Sequence, residues 1–166
     1  IVSPAMVEGA FDYEFDSWVT KAGRTMQGYV RDGVAHAVCM AIHEDVWAEI
    51  GYFMPVPKLL GYEDGIFFQR AFEQKIPMGT TADAWLHHFG QTTQKALKLE
   101  LQLQSRESLG NRKLMQMYMG QGWLDRKRAK HKNKRQAIKL RDHELAMYGM
   151  TVRALNLPEN SEWIWE

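Results

Sequence analysis

The sequence predicts an α/β fold carrying a basic, helical extension. Three observations point there. Short apolar runs with strand character alternate with amphipathic helical stretches up to about residue 95. Helical spacing takes over from Thr93 onward. The charge also changes sign near residue 91: residues 1–90 hold 6 Lys/Arg against 12 Asp/Glu, and residues 91–166 hold 15 against 8, balances of −6 and +7 that sum to the net +1. An acidic front and a basic tail imply two surfaces with different tasks.

The elements follow in order. "IVSPAMV" reads as a short strand ending at Pro4 or soon after. Residues 8–33 are aromatic-rich, broken by glycines and without a clean period, and read as a long loop or short helix lining something. "VAHAVCMAI" reads as a strand apolar enough to be buried on both faces. "HEDVWAEIGYF" is a short helix with Glu44 and Asp45 in its first turn, Val46, Trp47 and Ile50 on its apolar face, and Gly51 as its stop. "PVPKLLGY" is a proline-punctuated loop leading to a second helix, in which Ile66, Phe67, Arg70, Ala71 and Gln74 recur at three- and four-residue spacing. "IPMGTT" is extended and "AWLHHFGQTT" is a strand leaving the core. Helices are expected over 97–150, with Leu97, Leu99, Leu101 and Leu103 and the "LMQMYM" methionines packing on the domain, although the alternating leucines suit a strand equally. The tryptophans of "LNLPENSEWIWE" could dock back on the domain.

Composition narrows the class. With 166 residues, 45% hydrophobic and 25% charged, the chain is long enough for one ordinary domain with a real core. A single cysteine excludes an intrachain disulfide, and Cys39, inside "VCMAI", reads as a small buried hydrophobe in a reducing compartment. No apolar run reaches the length of a membrane span and no signal peptide is visible, so the expected location is cytoplasmic, with the membrane periphery open to the basic tail. The start at "IVSPAM", without an initiator methionine, suggests a piece of a longer chain.

The chemistry concentrates in "GYEDGIFFQRAFEQKIPM", residues 61–78, where Glu63 and Asp64 stand side by side between glycines. Acidic residues in a first helical turn are favoured by the helix dipole. The same pair could equally be a reaction centre in which one carboxylate takes a proton. His87 and His88 are either a strand-edge pair satisfied by backbone or ligands. Trp85 and Phe89 suit the core better than a sugar platform. Residues 126–141 hold nine Lys/Arg and no acid. That run is a solvated helix face, or a contact for nucleic acid or an anionic membrane. No aromatic interleaves it, which argues against stacking on single-stranded bases.

Taken in order, three of these segments resemble the C-terminal half of the family-2 glycosyltransferases, nucleotide-sugar-dependent enzymes of the GT-A (Rossmann-like) fold. "AVCMAIHEDVWAEIGYF" looks like that family's strand and Gly-aromatic helix, "GYEDGIFFQRAFEQKIPM" like its Glu-Asp helix, and "AWLHHFGQTT" like its closing strand with histidine. The likeness spans residues 34–95, with "IVSPAM" as a preceding strand. It implies a partial GT-A sheet over 1–95, followed by a helical basic extension over 96–166. It implies that Asp64, with Glu63 second, is the base that deprotonates an acceptor hydroxyl. It further implies that Arg70 and Trp85 lie on the substrate side, and that His88, or His87 in the alternative register, is a ligand of a divalent cation (Mn or Mg) or a diphosphate contact. His88 is accordingly expected within reach of the carboxylate pair. The implied partners are a nucleotide-sugar donor and an acceptor glycan or other hydroxyl compound.

The chain departs from the family pattern in three places. Ile66 stands where the family often has a second acid, and Met54 stands at the acidic position after "GF". No Asp-x-Asp and no nucleotide-binding half are present; Asp12 and Asp16 are four apart. The expectation is therefore a base-bearing, acceptor-side half whose donor site lies upstream. The rival is a non-catalytic α/β module with a basic tail for nucleic acid or an anionic surface.

Overall fold

The computed structural model describes residues 1–9, 14–54, 63–89, 120, 123–157 and 162–166, with the side chains of 123–134, 156–157 and 162–163 left aside. The chain is α/β and divides into two compact units. One joins Ile1–Ile42, Pro77–Gly90 and Asn133–Glu166; the other joins His43–Ile76 and Gln91–Lys132.

The first unit is built on a mixed five-stranded sheet. Its strands are β1 (Val2–Gly9), β2 (Val30–Asp32), β3 (Gly79–His88), β4 (Arg153–Leu157) and β5 (Glu162–Trp165), in the order β2-β3-β1-β4-β5. The central strand β1 is parallel to both β3 and β4, while β2 and β5 close the edges antiparallel. β4 and β5 come from the far end of the chain, so the segment after residue 96 supplies two strands of the same sheet as the N-terminus. The β1–β3 register runs to Pro4↔Thr81 and resumes at Ala5↔Trp85. Proline has no N–H to give a ladder, and the slip falls directly after it. The bulged residues are tied down locally: Gly28 N–H donates to Asp83 Oδ1 at 2.7 Å, and the Trp85 indole N–H donates to Ala82 O at 2.8 Å.

Helix α1 (Phe15–Thr25) covers this sheet with Ala22, and Met26 follows at its C-cap. With Ala5, Ala82, Met150 and Val152 these form the buried cluster, against which Trp18, Tyr29, Trp85, Tyr148 and Trp165 pack. Residues 15, 18, 22 and 26 are three or four apart, so one helical face meets the sheet. Gly23 obscures that pattern in the sequence, and a segment expected as a loop or short helix is a three-turn helix. The longest helix, α4 (Trp123–Tyr148), brings in the polar keystone of the unit. Glu144 is fully buried and accepts from Arg31 Nε at 2.7 Å, from the Tyr29 hydroxyl at 2.9 Å and from Val152 N–H at 3.1 Å. A buried carboxylate is tolerated only when paired and fully hydrogen-bonded, and these donors meet that requirement. Burial and then the bond to Glu144 push the Tyr29 phenol well above its ordinary range.

The second unit carries two of the expected helices. α2 (Glu44–Ile50) starts at His43, whose Nδ1 accepts from Asp45 N–H at 3.3 Å, and it ends at Gly51 with φ 72°. That left-handed conformation is the one glycine adopts without strain. α3 (Glu63–Glu73) buries Ile66, Phe67 and Ala71, three of the residues whose spacing predicts its core face.

Several expectations change. β1 runs through Pro4 to Gly9 because the bulge accommodates the proline. "IPMGTT" and "AWLHH" are not two segments: residues 79–88 make one strand. Residues 34–42 are not a strand buried on both faces, for their only ladder contact among the described residues is an isolated bridge between Ala41 and Val2. The reason is occupancy. β2 takes the outer edge of β3 and β4 takes β1 from Met6 onward, so the segment is held by side chains instead, with His36 N–H donating to Ser3 Oγ at 3.0 Å and Thr80 Oγ1 donating to Val34 O at 2.8 Å. Cys39 is exposed rather than buried, and Phe89 is exposed rather than core. Within the basic run Arg135 and Lys139 are exposed, as a solvated face requires. Trp165 packs on the core as the docking expectation has it. The alternating leucines 97–103 and the "LMQMYM" methionines lie outside the described residues. No helix among the described residues is long and apolar enough to cross a membrane.

Candidate functional site

The carboxylate pair sits in the second unit, in the first turn of α3, where the unpaired backbone N–H groups favour negative charge. Asp64 turns back on the helix and accepts from Gly65 N–H at 2.7 Å. Glu63 points its Oε2 into a buried position where it has no hydrogen-bond partner among the described residues. A buried acceptor left unmatched costs about 1–3 kcal/mol, so a donor arriving there is favoured. The helix N-terminus therefore presents two carboxylates in different states, one held by backbone and one without a donor among the described residues.

Arg70 lies two turns further along α3, and its terminal nitrogens are committed. Nη1 donates to Ile50 O and Nη2 to Tyr52 O, both at 2.6 Å. These carbonyls belong to the end of α2 and the turn beyond it, so the guanidinium caps one helix from the side of another. It also lies 5.8 Å from the Phe67 ring centroid. Arg70 is thus a clamp on backbone carbonyls.

The histidines belong to the first unit, at the carboxyl end of β3. Successive strand residues face opposite ways, and the two have different surroundings. His87 stacks on Phe15 and Phe89 with centroids 5.4 and 3.9 Å apart, and its Nε2 lies 3.2 Å from Gly9 O, a bond that needs the Nε2-protonated tautomer. His88 lies on the other face with Glu8 of β1, its Nδ1 3.7 Å from Glu8 Oε1. Glu8 Oε2 in turn meets Arg153 Nη2 of β4 at 3.3 Å, and Arg153 Nε meets Glu166 Oε2 at 2.8 Å. Three adjacent parallel strands thus bring together His88 and Glu8, near the carboxyl ends of β3 and β1, and Arg153, the first residue of β4; the carboxyl ends of strands are the region where open α/β sheets bind ligands. Glu8 and Arg153 were not picked out from the sequence. The available signal was a charge in an otherwise apolar strand, two residues after the buried Met6.

Trp85 packs its ring edge-on against Trp18 at 4.9 Å and stands at the rim of the core. The carboxylate pair and the histidines fall in different compact units, each described by itself. The described residues do not complete a metal centre: no group of three or more His, Cys, Asp or Glu is placed to hold an ion. His88 has one carboxylate beside it, already shared with Arg153. No family model matches the chain, and neither a curated protein nor a solved structure is significantly similar to it.

Proposed function

We propose that this chain is the acceptor-side, base-bearing half of a GT-A glycosyltransferase of the family-2 type, in which a sugar passes from a nucleotide-sugar donor to an acceptor hydroxyl. The observation that carries the reading is the state of the carboxylate pair. Glu63 Oε2 is buried and has no hydrogen-bond partner among the described residues, beside an Asp64 that is fixed by backbone. One hydroxyl of the acceptor donates to Glu63 and holds it in place, while Asp64 removes the proton of the neighbouring hydroxyl whose oxygen attacks the anomeric carbon. The bond to the leaving diphosphate breaks as the new glycosidic bond forms. A single positioned base suffices for such a displacement, which inverts the anomeric centre. No step of this scheme runs through a metal ion.

The reading is tested by incubating the full gene product with UDP-, GDP- and dTDP-sugars and following nucleotide diphosphate release by mass spectrometry. One of these donors should turn over with sugar appearing on an added hydroxyl acceptor. Because the donor half is placed elsewhere by this reading, the 166-residue chain alone should bind the same donors weakly or not at all. Micromolar donor binding by the chain alone in calorimetry would overturn the division into halves.

A second reading concerns the tail. Arg135 and Lys139 are exposed on α4, and the nine Lys/Arg of 126–141 include no compensating acid. Such a surface fits nucleic acid or an anionic membrane, either beside the transfer activity or, in a non-catalytic module, in its place.

A further inference from the structure

Helix α4 changes character along its length. From Leu140 onward it is held by the core: Leu140 and Arg141 are half-buried and Glu144 is fully buried. Before that point Arg135, Gln136, Ala137, Ile138 and Lys139 are all exposed. Five successive residues, at about 100° each, go round the whole circumference of a helix. Every side of α4 therefore meets solvent at 135–139. The sequence of the turns before it is more polar still. Residues 126–136 hold seven Lys/Arg and no acid, with Ala129 as the single apolar residue. A helix lying on a membrane needs an apolar stripe to bury, and these turns have none. A helix that only had to stay soluble would intersperse both signs of charge. Here Arg126 and Lys130, Arg128 and Lys132, Lys130 and Lys134, and Arg135 and Lys139 place like charges four apart, which weakens a helix that has no anion beside it. Arg141, the last cation of the run, is already bonded to Asp142 at 2.8 Å.

We propose, resting on the reading of the tail as an anion-binding surface, that residues 126–139 of α4 lie in the major groove of double-stranded DNA. Positions 126, 130 and 134 share one side of the helix, and positions 128, 132 and 135 lie about 170° away on the other. A flat anionic surface reaches only one of these sides. A groove has phosphates on both walls. The B-form major groove, about 12 Å wide, admits an α-helix about 10–12 Å across. The major groove of A-form RNA is too deep and narrow for side chains to enter. Unpaired bases find no aromatic in the run to stack on. The contacts are to phosphate, so binding is salt-dependent and independent of base sequence.

Fluorescence anisotropy of the whole chain with a short labelled DNA duplex, across a range of salt, tests the assignment. The same duplex as RNA, the single DNA strand, and equimolar phosphatidylserine–phosphatidylcholine vesicles are the competitors. Duplex DNA should bind most tightly. One triple variant, Arg126→Gln, Lys130→Gln and Lys134→Gln, neutralises the first side, and another, Arg128→Gln, Lys132→Gln and Arg135→Gln, neutralises the second. Each should weaken duplex binding roughly tenfold or more and lower the log–log salt slope by roughly 2–3. Arg126→Lys, Arg128→Lys and Arg135→Lys together keep the charge and should keep the slope. Both neutral triples remove like-charge pairs, so their helical circular dichroism should be retained, and the charge-keeping triple gives a further folded variant. Loss of binding in one neutral triple but not the other means contact with a flat surface and overturns the groove. Tighter binding to RNA or to the single strand overturns the choice of partner. Binding to the vesicles without binding to the duplex keeps the anion-binding tail and removes the proposal. Binding to none of the four removes both.

Discussion

Replacing Glu144 by alanine should be the most damaging single change in the first unit. Its carboxylate is fully buried and Arg31 is 6% exposed, so the pair is nearly shut off from water. Among the described residues, Glu144→Ala leaves the guanidinium with only its bond to Glu166 O, and it removes the partner of the Tyr29 hydroxyl and of the Val152 N–H as well. Breaking a buried pair by removing one partner costs about 3–5 kcal/mol. With a urea slope of about 2 kcal/mol per molar for a chain this size, the midpoint should fall by about 2 M. Asp142→Ala is the control, since its bond to Arg141 is on the surface and is worth under about 1 kcal/mol. Urea titrations followed by tryptophan fluorescence and circular dichroism give both values. The double variant Arg31→Met/Glu144→Leu, with no charge left unpaired, should recover much of the loss. A Glu144→Ala midpoint within about 0.5 M of the parent refutes the keystone role, as does a double variant no better than the single.

Two further outcomes are expected. Burial, then Arg153 and Arg31, lowers the pKa of His36 from 6.5 to about 4. Between those values the unfolded chain takes up a proton that the folded chain does not. Stability should therefore fall as pH drops from about 6.5 towards 4 and gain no further loss from this residue below that. His36→Asn should flatten that slope in urea titrations across the window, and an identical slope in the variant contradicts the assignment. In the tail, Lys127→Gln, Lys130→Gln and Lys134→Gln together should weaken binding to anionic vesicles or nucleic acid and flatten its salt dependence by roughly 0.9 in log–log slope per lost phosphate contact. Transfer to a soluble acceptor should survive. A folded triple variant that loses that transfer places the tail in the active site.

The helices of the second unit were legible because their signals are local. Glu44, Asp45 and Gly51 mark the ends of α2, and Ile66, Phe67 and Ala71 mark the buried face of α3. The sheet was less legible because its order is set by distant partners. Nothing near "VAHAVCMAI" says that β4, over a hundred residues later, takes the edge of β1 that the segment would otherwise use. Apolar character alone made it look like a strand and made Cys39 look buried. The charge balance changes sign near residue 91, yet Val152 and Trp165 return to the core formed with Ala5. At the site, the Glu63–Asp64 pair could be read from its neighbours. Glu8 with His88 and Arg153 could not, since only strand pairing brings positions 8, 88 and 153 together, and the clamp of Arg70 on the Tyr52 carbonyl spans 18 positions.

The central claim, that the pair at the start of α3 is the reaction centre, is tested most directly by single-turnover sugar transfer in Asp64→Asn and Glu63→Gln forms of the full gene product. Asp64→Asn keeps the shape and the backbone bond to Gly65 but cannot take a proton, so transfer should fall by roughly 10²–10⁴ with the circular dichroism spectrum unchanged. Glu63→Gln should act mainly on the acceptor, raising its KM more than it lowers kcat. Turnover at the parent rate in both variants contradicts the account and removes the pair from the mechanism.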